Sequence, residues 1–346
     1  MFYDVVSVEE SWEQWMTRRS AVRDRIGKTM GEEPFPEWRV TGRFVQNRIL
    51  LGCSARDFTL EILPGYQCAG TLVLPEVFLP GHPLVFCIHG TTSLGRRNVL
   101  DPETCPNRCY GIELAQRGFA TCSLDLFGFG EWEVRGRKSA ELQKEFYRDF
   151  PNWSLDGVQV RLHRMAIDWL TTLPDYCFGT FGAIGNSLGG RVSVYLAAFE
   201  ERLTAAVVSC GISPNLTNVY RNYPGGAQPE LSPRLNAAMV SCGKPPWEYQ
   251  ELLALAAPRA LCVVEPFNDP YNPLPFAGME CFDRARRLWE LAGVPERAAI
   301  LYHGMGHDVP PAIRHFAYEF LEAHLVSSLK FPLNFCRVKL KRALPN

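Results

Sequence analysis

The spacing of hydrophobic residues changes along this 346-residue chain. Near the N-terminus the apolar residues recur at helical intervals: Trp12, Trp15, Met16, Val22 and Ile26. Ser7 and Glu10 form a capping-box pattern ahead of them, so we predict a helix as far as Met30-Gly31 with its apolar stripe on the core. Between residues 39 and 74, short β-rich runs broken by Gly and Pro predict antiparallel strands.

After Pro83, short apolar runs alternate with longer amphipathic ones. The predicted strands are Leu84 to His89, Ala120 to Leu124, Thr180 to Ile184, Leu203 to Cys210, Ala260 to Val264 and Ala298 to Tyr302. The predicted helices are Val158 to Leu173, Gly190 to Phe199, Met279 to Leu291 and Ala312 to Val326. This alternation predicts an α/β fold with a mostly parallel central sheet and helices on both faces.

A chain of 346 residues with a hydrophobic content of 47% can form one large domain with extra segments at its ends. We expect a helix and β extension over residues 1–64, the main domain over 65–328 and a basic tail over 329–346. The tail alternates basic and apolar residues, which suits a docked arm or a homo-oligomer contact. Residues 212–243 are rich in Pro, Gly and Asn where a short connection would suffice, and they predict a lid-like insertion.

Charge and cysteine usage narrow the function classes. A formal net charge of -1 gives no general attraction to nucleic acid or to an anionic membrane. No signal-peptide pattern or 18-residue apolar run is present, so we expect a cytoplasmic protein with no membrane partner. Cys105 and Cys109 have the spacing of a metal half-site but no second cluster nearby, so we expect no metal and no cofactor.

The candidate nucleophile is Ser187, in the stretch Gly185-Asn186-Ser187-Leu188-Gly189. The stretch lies between a predicted strand and a predicted helix, where a strained turn with small flanking residues can expose a serine hydroxyl. The alternative is an ordinary serine in a glycine-rich turn, and the strand and helix on either side favour the nucleophile.

A serine nucleophile needs a base and an orienting acid. His307 follows the last predicted strand in a glycine-containing loop, and we prefer it to His303, which lies nearer the strand end. The acid should follow the preceding strand, because parallel sheets present functional groups at the carboxyl ends of their strands. Asp269 is the first choice there and Glu265 the second.

The remaining candidates concern the oxyanion and the substrate. The backbone N–H groups of Leu188 and Thr91 are the candidate oxyanion donors. Asp125 also ends a strand, and bracing of its loop is preferred over a catalytic role. Aromatic residues that could line an acyl or alcohol pocket are Phe127, Trp132, Tyr220 and Tyr223.

With these residues in the chain order Ser, Asp, His, the segment from Gly65 to Val326 resembles the α/β-hydrolase superfamily. The motifs that carry the resemblance are LVFCIHGTT, SLDLFGFGE, RMAIDWLTTLP, FGAIGNSLGGR and YQELLALAAPRALCVV. Within the superfamily the chain is similar to dienelactone-hydrolase-like and acetyl-xylan-esterase-like proteins. Ser187 stands where dienelactone hydrolases have cysteine, so the resemblance implies a hydrolase of small-molecule esters or lactones.

Two other functions stay open at this point. The same three residues could carry out acyl transfer or C–C bond hydrolysis, depending on whether water or another acceptor reaches the acyl-enzyme. The fold could also serve binding or assembly without catalysis, which the complete set of three residues disfavours.

Overall fold

A nine-stranded sheet, with strand order β1-β2-β3-β5-β4-β6-β7-β8-β9, is the centre of the described part of the chain. The computed structural model describes residues 10–133, 139–217, 231–272 and 274–326. The strands are β1 (Thr41–Leu50), β2 (Cys53–Leu63), β3 (Tyr66–Leu74), β4 (Leu84–Ile88), β5 (Ala120–Leu124), β6 (Phe181–Asn186), β7 (Leu203–Ser209), β8 (Ala260–Pro266) and β9 (Ala298–His303). Strands β4 to β9 pair in parallel, and β1 to β3 extend the sheet by antiparallel pairing through β3 and β5.

Helices cover both faces of this sheet. They are α1 (Trp12–Met30), α2 (Tyr110–Gln116), α3 (Ser139–Asp149), α4 (Leu155–Thr171), α5 (Leu188–Phe199), α6 (Pro233–Cys242), α7 (Tyr249–Ala254), α8 (Pro275–Leu291) and α9 (Pro311–Leu325). Strand residues alternate between two cores: Phe86 packs in the one with α1, α4 and α5, whereas Val85 packs in the one with α2 and α9. The predicted α/β fold and its mostly parallel sheet are confirmed.

The start of the first helix differs from the prediction. Helix α1 begins at Trp12, and its capping box is formed by Ser11 and Gln14. The predicted box began at Ser7, which lies outside the described residues. Glu10 instead accepts a 2.5 Å ion-pair contact from Arg18. Both patterns contain Ser followed three residues later by an acid or amide, and the second places the capping hydroxyl directly before the apolar repeat.

The insertion and the tail are only partly within the described residues. Residues 218–230, which contain Tyr220 and Tyr223, lie outside them, and so does the predicted tail 329–346. The described end of the insertion contains α6, a helix that the Pro- and Gly-rich composition did not predict, with Pro233 in its first turn. Among the helices of the described ranges, none combines the length and apolar character that a membrane crossing needs.

We expect the buried His163 to make the fold sensitive to acid. Burial lowers its pKa to about 4, opposed by a hydrogen bond from the ring to the Gln159 carbonyl. In the unfolded chain His163 is protonated below about pH 6.5, whereas in the folded chain it stays neutral down to about pH 4. The free energy of unfolding therefore falls as the pH falls through this range, by up to about 3 kcal/mol. Urea unfolding from pH 7 to pH 4.5 should show a smaller loss in His163→Gln than in the unsubstituted chain.

The matched control is His315→Gln, because His315 is exposed on α9. Equal pH dependence in the unsubstituted chain and in His163→Gln would contradict this account of the buried ring.

Candidate active site

Ser187 occupies a sharp turn between β6 and α5. Its backbone angles are φ 61° and ψ -120°, a region that costs a non-glycine residue roughly 1–3 kcal/mol. A Cβ atom at Gly185 would overlap the Gly189 carbonyl, and one at Gly189 would overlap the Ile88 carbonyl. The turn therefore requires glycine on both sides of Ser187, as the sequence pattern predicted.

Asp269 and His307 meet in the loops after β8 and β9. The His307 Nδ1 atom lies 2.7 Å from Asp269 Oδ2, and the two side chains are 10% and 1% exposed. The other carboxylate oxygen of Asp269 accepts the Tyr271 N–H at 2.7 Å. A carboxylate can only accept, so Nδ1 carries the proton and Nε2 is left as the basic nitrogen of the neutral ring.

The end of β7 lies between the Ser187 turn and this pair. The Ser187 N–H donates to the Ser209 carbonyl at 2.9 Å. The next residue, Cys210, has its sulfur within 4.8 Å of ligand atoms of Asp269 and His307. The Ser187 side chain makes no capping hydrogen bond to α5, so its hydroxyl is not held by the helix that follows it.

Arg108 spans the other side of the site. Its Nε donates to Asp308 at 3.2 Å and its Nη2 donates to the His307 carbonyl at 3.0 Å. Gly90 lies between Arg108 and Ser187: a Cβ atom at Gly90 would be 3.9 Å from Arg108 Nη1 and 3.4 Å from Ser187 Cβ. Arg108 therefore fixes the loop of the histidine next to the serine turn.

If His307 is the base, as predicted, replacing Arg108 by alanine should lower kcat about 10- to 100-fold with little change in KM, because displacing a base lowers rate more than affinity. Arg108→Lys keeps the charge but loses the two-point contact, so an intermediate loss is expected. The control is Arg97→Ala, whose side chain is 69% exposed. Equal kcat in Arg108→Ala and Arg97→Ala would contradict this positioning role.

The second-choice acid and base have other partners. Glu265 Oε1 accepts the N–H groups of Gly211 and Ile212 at 2.9 and 3.0 Å, which braces the loop after β7. His303 is 6% exposed, its Nδ1 accepts the Met305 N–H, and burial lowers its pKa. These contacts favour Asp269 and His307 as the functional pair.

The two candidate oxyanion donors lie on neighbouring turns. Leu188 is the first residue of α5, where the helix N-terminus favours negative charge. Thr91 follows Gly90 in the turn after β4, and a Cβ on Gly90 would lie 3.2 Å from the Asn186 carbonyl. The oxyanion site stays a prediction, supported by this close packing of the two turns.

Two polar residues at the strand ends support the loops. His89 is buried, its Nδ1–H donates to the Gly90 carbonyl at 2.6 Å, and its Nε2 accepts the Leu126 N–H at 2.9 Å. Burial lowers the pKa of His89 to about 4, so the ring stays neutral. Asp125 accepts both the backbone N–H and the Nη1 of Arg96, at 2.7 and 2.6 Å. Its contacts are those of the loop brace that the sequence suggested.

A cavity of about 710 Å³ lies beyond the end of β5. Phe127 and Trp132, both predicted to contact substrate, line it with ring centroids 4.7 Å apart, and Tyr66 joins them. Glu131 and Glu145 add carboxylates to its wall. The sequence did not indicate Tyr66, because β3 is far from β5 along the chain.

Tyr271 is a further residue that the sequence analysis missed. Its ring is edge-on to the His307 ring at 4.8 Å between centroids, and it is 50% exposed. Phe267, in the same loop, is 55% exposed. The loop after β8 thus presents aromatic surface next to His307, and the signal for it in the sequence was the aromatic content of that loop.

Several solved structures with a similar fold are named as esterases. The chain superposes on a glucuronoyl esterase from Solibacter usitatus with TM-score 0.73 and 15% identity, covering 94% of this chain and 97% of that one. For Methylesterase BT1017 the TM-score is 0.66 with 20% identity and coverages of 91% and 65%. A putative acetyl xylan esterase from Bacteroides fragilis NCTC 9343 gives 0.65 and 15%, with coverages of 87% and 79%. The chain therefore has the α/β-hydrolase fold.

Two curated proteins match parts of the chain in sequence. The chain is 23% identical over 222 residues to Putative hydrolase YtaP of Bacillus subtilis (strain 168), covering 62% of this chain and 68% of that protein. An uncharacterized 31.7 kDa protein of Escherichia coli is 31% identical over 129 residues, 37% of this chain and 36% of that protein. No protein-family model matches the chain.

Proposed function

We propose that this chain is a serine carboxylic-ester hydrolase. The observation that carries the proposal is the 2.7 Å contact between His307 and Asp269 at the sheet edge that also bears the strained Ser187 turn. Ser187 attacks the ester carbonyl while His307 Nε2 takes its proton, and Asp269 holds the ring in the required tautomer. His307 then protonates the leaving alcohol, and water releases the acid from the acyl-enzyme.

The charge that develops on the carbonyl oxygen needs donors. We propose the backbone N–H groups of Leu188 and Thr91 as these donors. Removing one donor of this kind commonly lowers the rate about 10²- to 10³-fold. The proposed mechanism uses no metal and no cofactor.

The relatives support this reaction class. The structural neighbours include glucuronoyl, methyl and acetyl xylan esterases, and a sequence relative is a putative hydrolase. These proteins differ in substrate, and they are only 15–23% identical to this chain. The substrate of this chain therefore has to be inferred from its own residues.

The cavity beside β5 is proposed to hold the larger group of the ester. Its wall is packed against the serine turn through buried residues: Gly90 adjoins Ser187, His89 accepts the Leu126 N–H, and Phe127 is the next residue. Aromatic faces suit an apolar or sugar-ring surface, and the carboxylates at its edge can accept hydroxyl groups. Small-molecule esters of this type are the expected substrates.

Trp132→Ala should lower kcat/KM for a bulky aromatic ester about 10- to 100-fold, since a pocket contact is worth about 1–3 kcal/mol, and should leave an acetyl ester nearly unchanged. The control is Trp132→Phe, which keeps a ring but loses the bond from Nε1 to the Asp125 carbonyl. Equal losses of kcat/KM on both esters would mean that the larger group of the ester binds outside this cavity.

A panel of p-nitrophenyl esters and lactones of graded acyl length tests the reaction class. We expect turnover that depends on Ser187 and varies with acyl size. Adding alcohol acceptors separates hydrolysis from acyl transfer, because a transferase would convert most of the acyl group into a new ester. No turnover of any ester or lactone would favour C–C bond hydrolysis or a binding role.

A further inference from the structure

Cys210 lies beside the Asp269–His307 pair, although no step of the proposed mechanism uses a thiol. The Cys210 sulfur, a carboxylate oxygen of Asp269 and a ring nitrogen of His307 all lie within 4.8 Å of one another. Cys210 is 2% exposed, and the side chains of Asp269 and His307 are 1% and 10% exposed. Three different metal-binding donors thus converge in one shielded place.

The backbone holds Cys210 in this position. It follows β7 directly, and its φ of 50° is in the left-handed region that non-glycine residues seldom adopt. Its N–H donates to the Val264 carbonyl at 2.9 Å, and the preceding Ser209 carbonyl accepts the Ser187 N–H at 2.9 Å. The backbone position of Cys210 is therefore set by the sheet and the serine turn.

We propose that Cys210, Asp269 and His307 form a binding site for a zinc-type divalent cation that switches the enzyme off. The inhibition rests on the proposed esterase function, whereas the binding does not. A thiolate, an imidazole and a carboxylate are the donors that Zn²⁺ prefers, whereas Mg²⁺ and Ca²⁺ prefer oxygen alone. Bonds of about 2.0–2.3 Å place tetrahedral ligands roughly 3.3–3.6 Å apart, so movements of about 1 Å suffice.

Binding of the cation and catalysis exclude each other. When the ion binds, the Cys210 thiol releases its proton to solvent, the proton of the neutral His307 ring moves from Nδ1 to Nε2, and water fills the fourth position. The hydrogen bond from Nδ1–H to Asp269 is then lost, and Asp269 no longer orients the ring as a base. The substrate cavity is untouched, so the apparent kcat should fall while KM stays constant.

The binding test uses CoCl₂ as a spectroscopic probe of the full chain after removal of metals with EDTA. We expect a thiolate-to-cobalt absorption band that saturates at one equivalent. Cys210→Ser and Cys210→Gly should lack it, and the glycine variant suits the left-handed backbone at this position. Ser187→Ala and Cys177→Ser should keep the band, because Ser187 is no ligand and Cys177 is exposed elsewhere.

The activity test uses ZnCl₂ with the best ester of the panel. We expect inhibition that EDTA reverses and that needs at least about 10-fold more zinc in both Cys210 variants. No cobalt band in the unsubstituted chain, or equal zinc sensitivity in folded Cys210 variants, would overturn the site. If no ester is turned over, the proposed function fails while the cobalt spectra still decide on binding.

Discussion

Ser187→Ala should reduce kcat for every ester that the chain cleaves by about 10⁵- to 10⁶-fold, to a rate set by binding and the oxyanion donors alone. The reason is chemical: alanine has no hydroxyl, while its volume and the backbone turn hardly change. The measurement is steady-state kinetics, with far-UV circular dichroism and thermal unfolding to show that the variant is folded.

The matched control for this substitution is Ser241→Ala, because Ser241 is an exposed serine in α6. It should keep full kcat. A folded Ser187→Ala variant with unchanged kcat would rule out Ser187 as the nucleophile.

Asp269→Asn should lower kcat by about 10³- to 10⁴-fold, with a smaller effect on KM. The carboxylate accepts Nδ1–H and so leaves Nε2 as the base, whereas an amide can donate to Nδ1 and stabilise the wrong tautomer. Asp269 also accepts the Tyr271 N–H through its other oxygen, so the amide oxygen cannot serve both partners with the same geometry.

Glu265→Gln is the control for the acid. The glutamine keeps a carbonyl oxygen for the N–H groups of Gly211 and Ile212, so kcat should change less than about 3-fold. A large loss in Glu265→Gln together with normal activity in Asp269→Asn would move the acid to Glu265.

The parallel strands and the serine turn were predictable because their signals are local. Each parallel strand is a short apolar run, and glycine is required at positions 185 and 189 by contacts within a few residues or with the adjacent strand. The resemblance to a known superfamily added the order of the three site residues. Strand ends then placed Asp269 and His307 at one edge, where the structure has them in contact.

Contacts across long stretches of chain were not predictable. Arg108 contacts the loop of His307 across 199 residues, and Cys210 approaches the pair only through sheet packing. Short elements were also missed: α2 has seven residues, which is too few for a helical repeat. At the N-terminus two cap patterns lie four residues apart, and sequence spacing alone did not identify the one at Ser11 that caps α1.

The most direct test of the central claim is covalent labelling by a fluorophosphonate probe, followed by mass spectrometry of the digested chain. The account predicts one adduct per chain, located on Ser187, absent from Ser187→Ala and strongly slowed in His307→Ala, because the probe reacts only with a serine that a base activates. An adduct on another serine, or no adduct on the folded, metal-free chain, would contradict it.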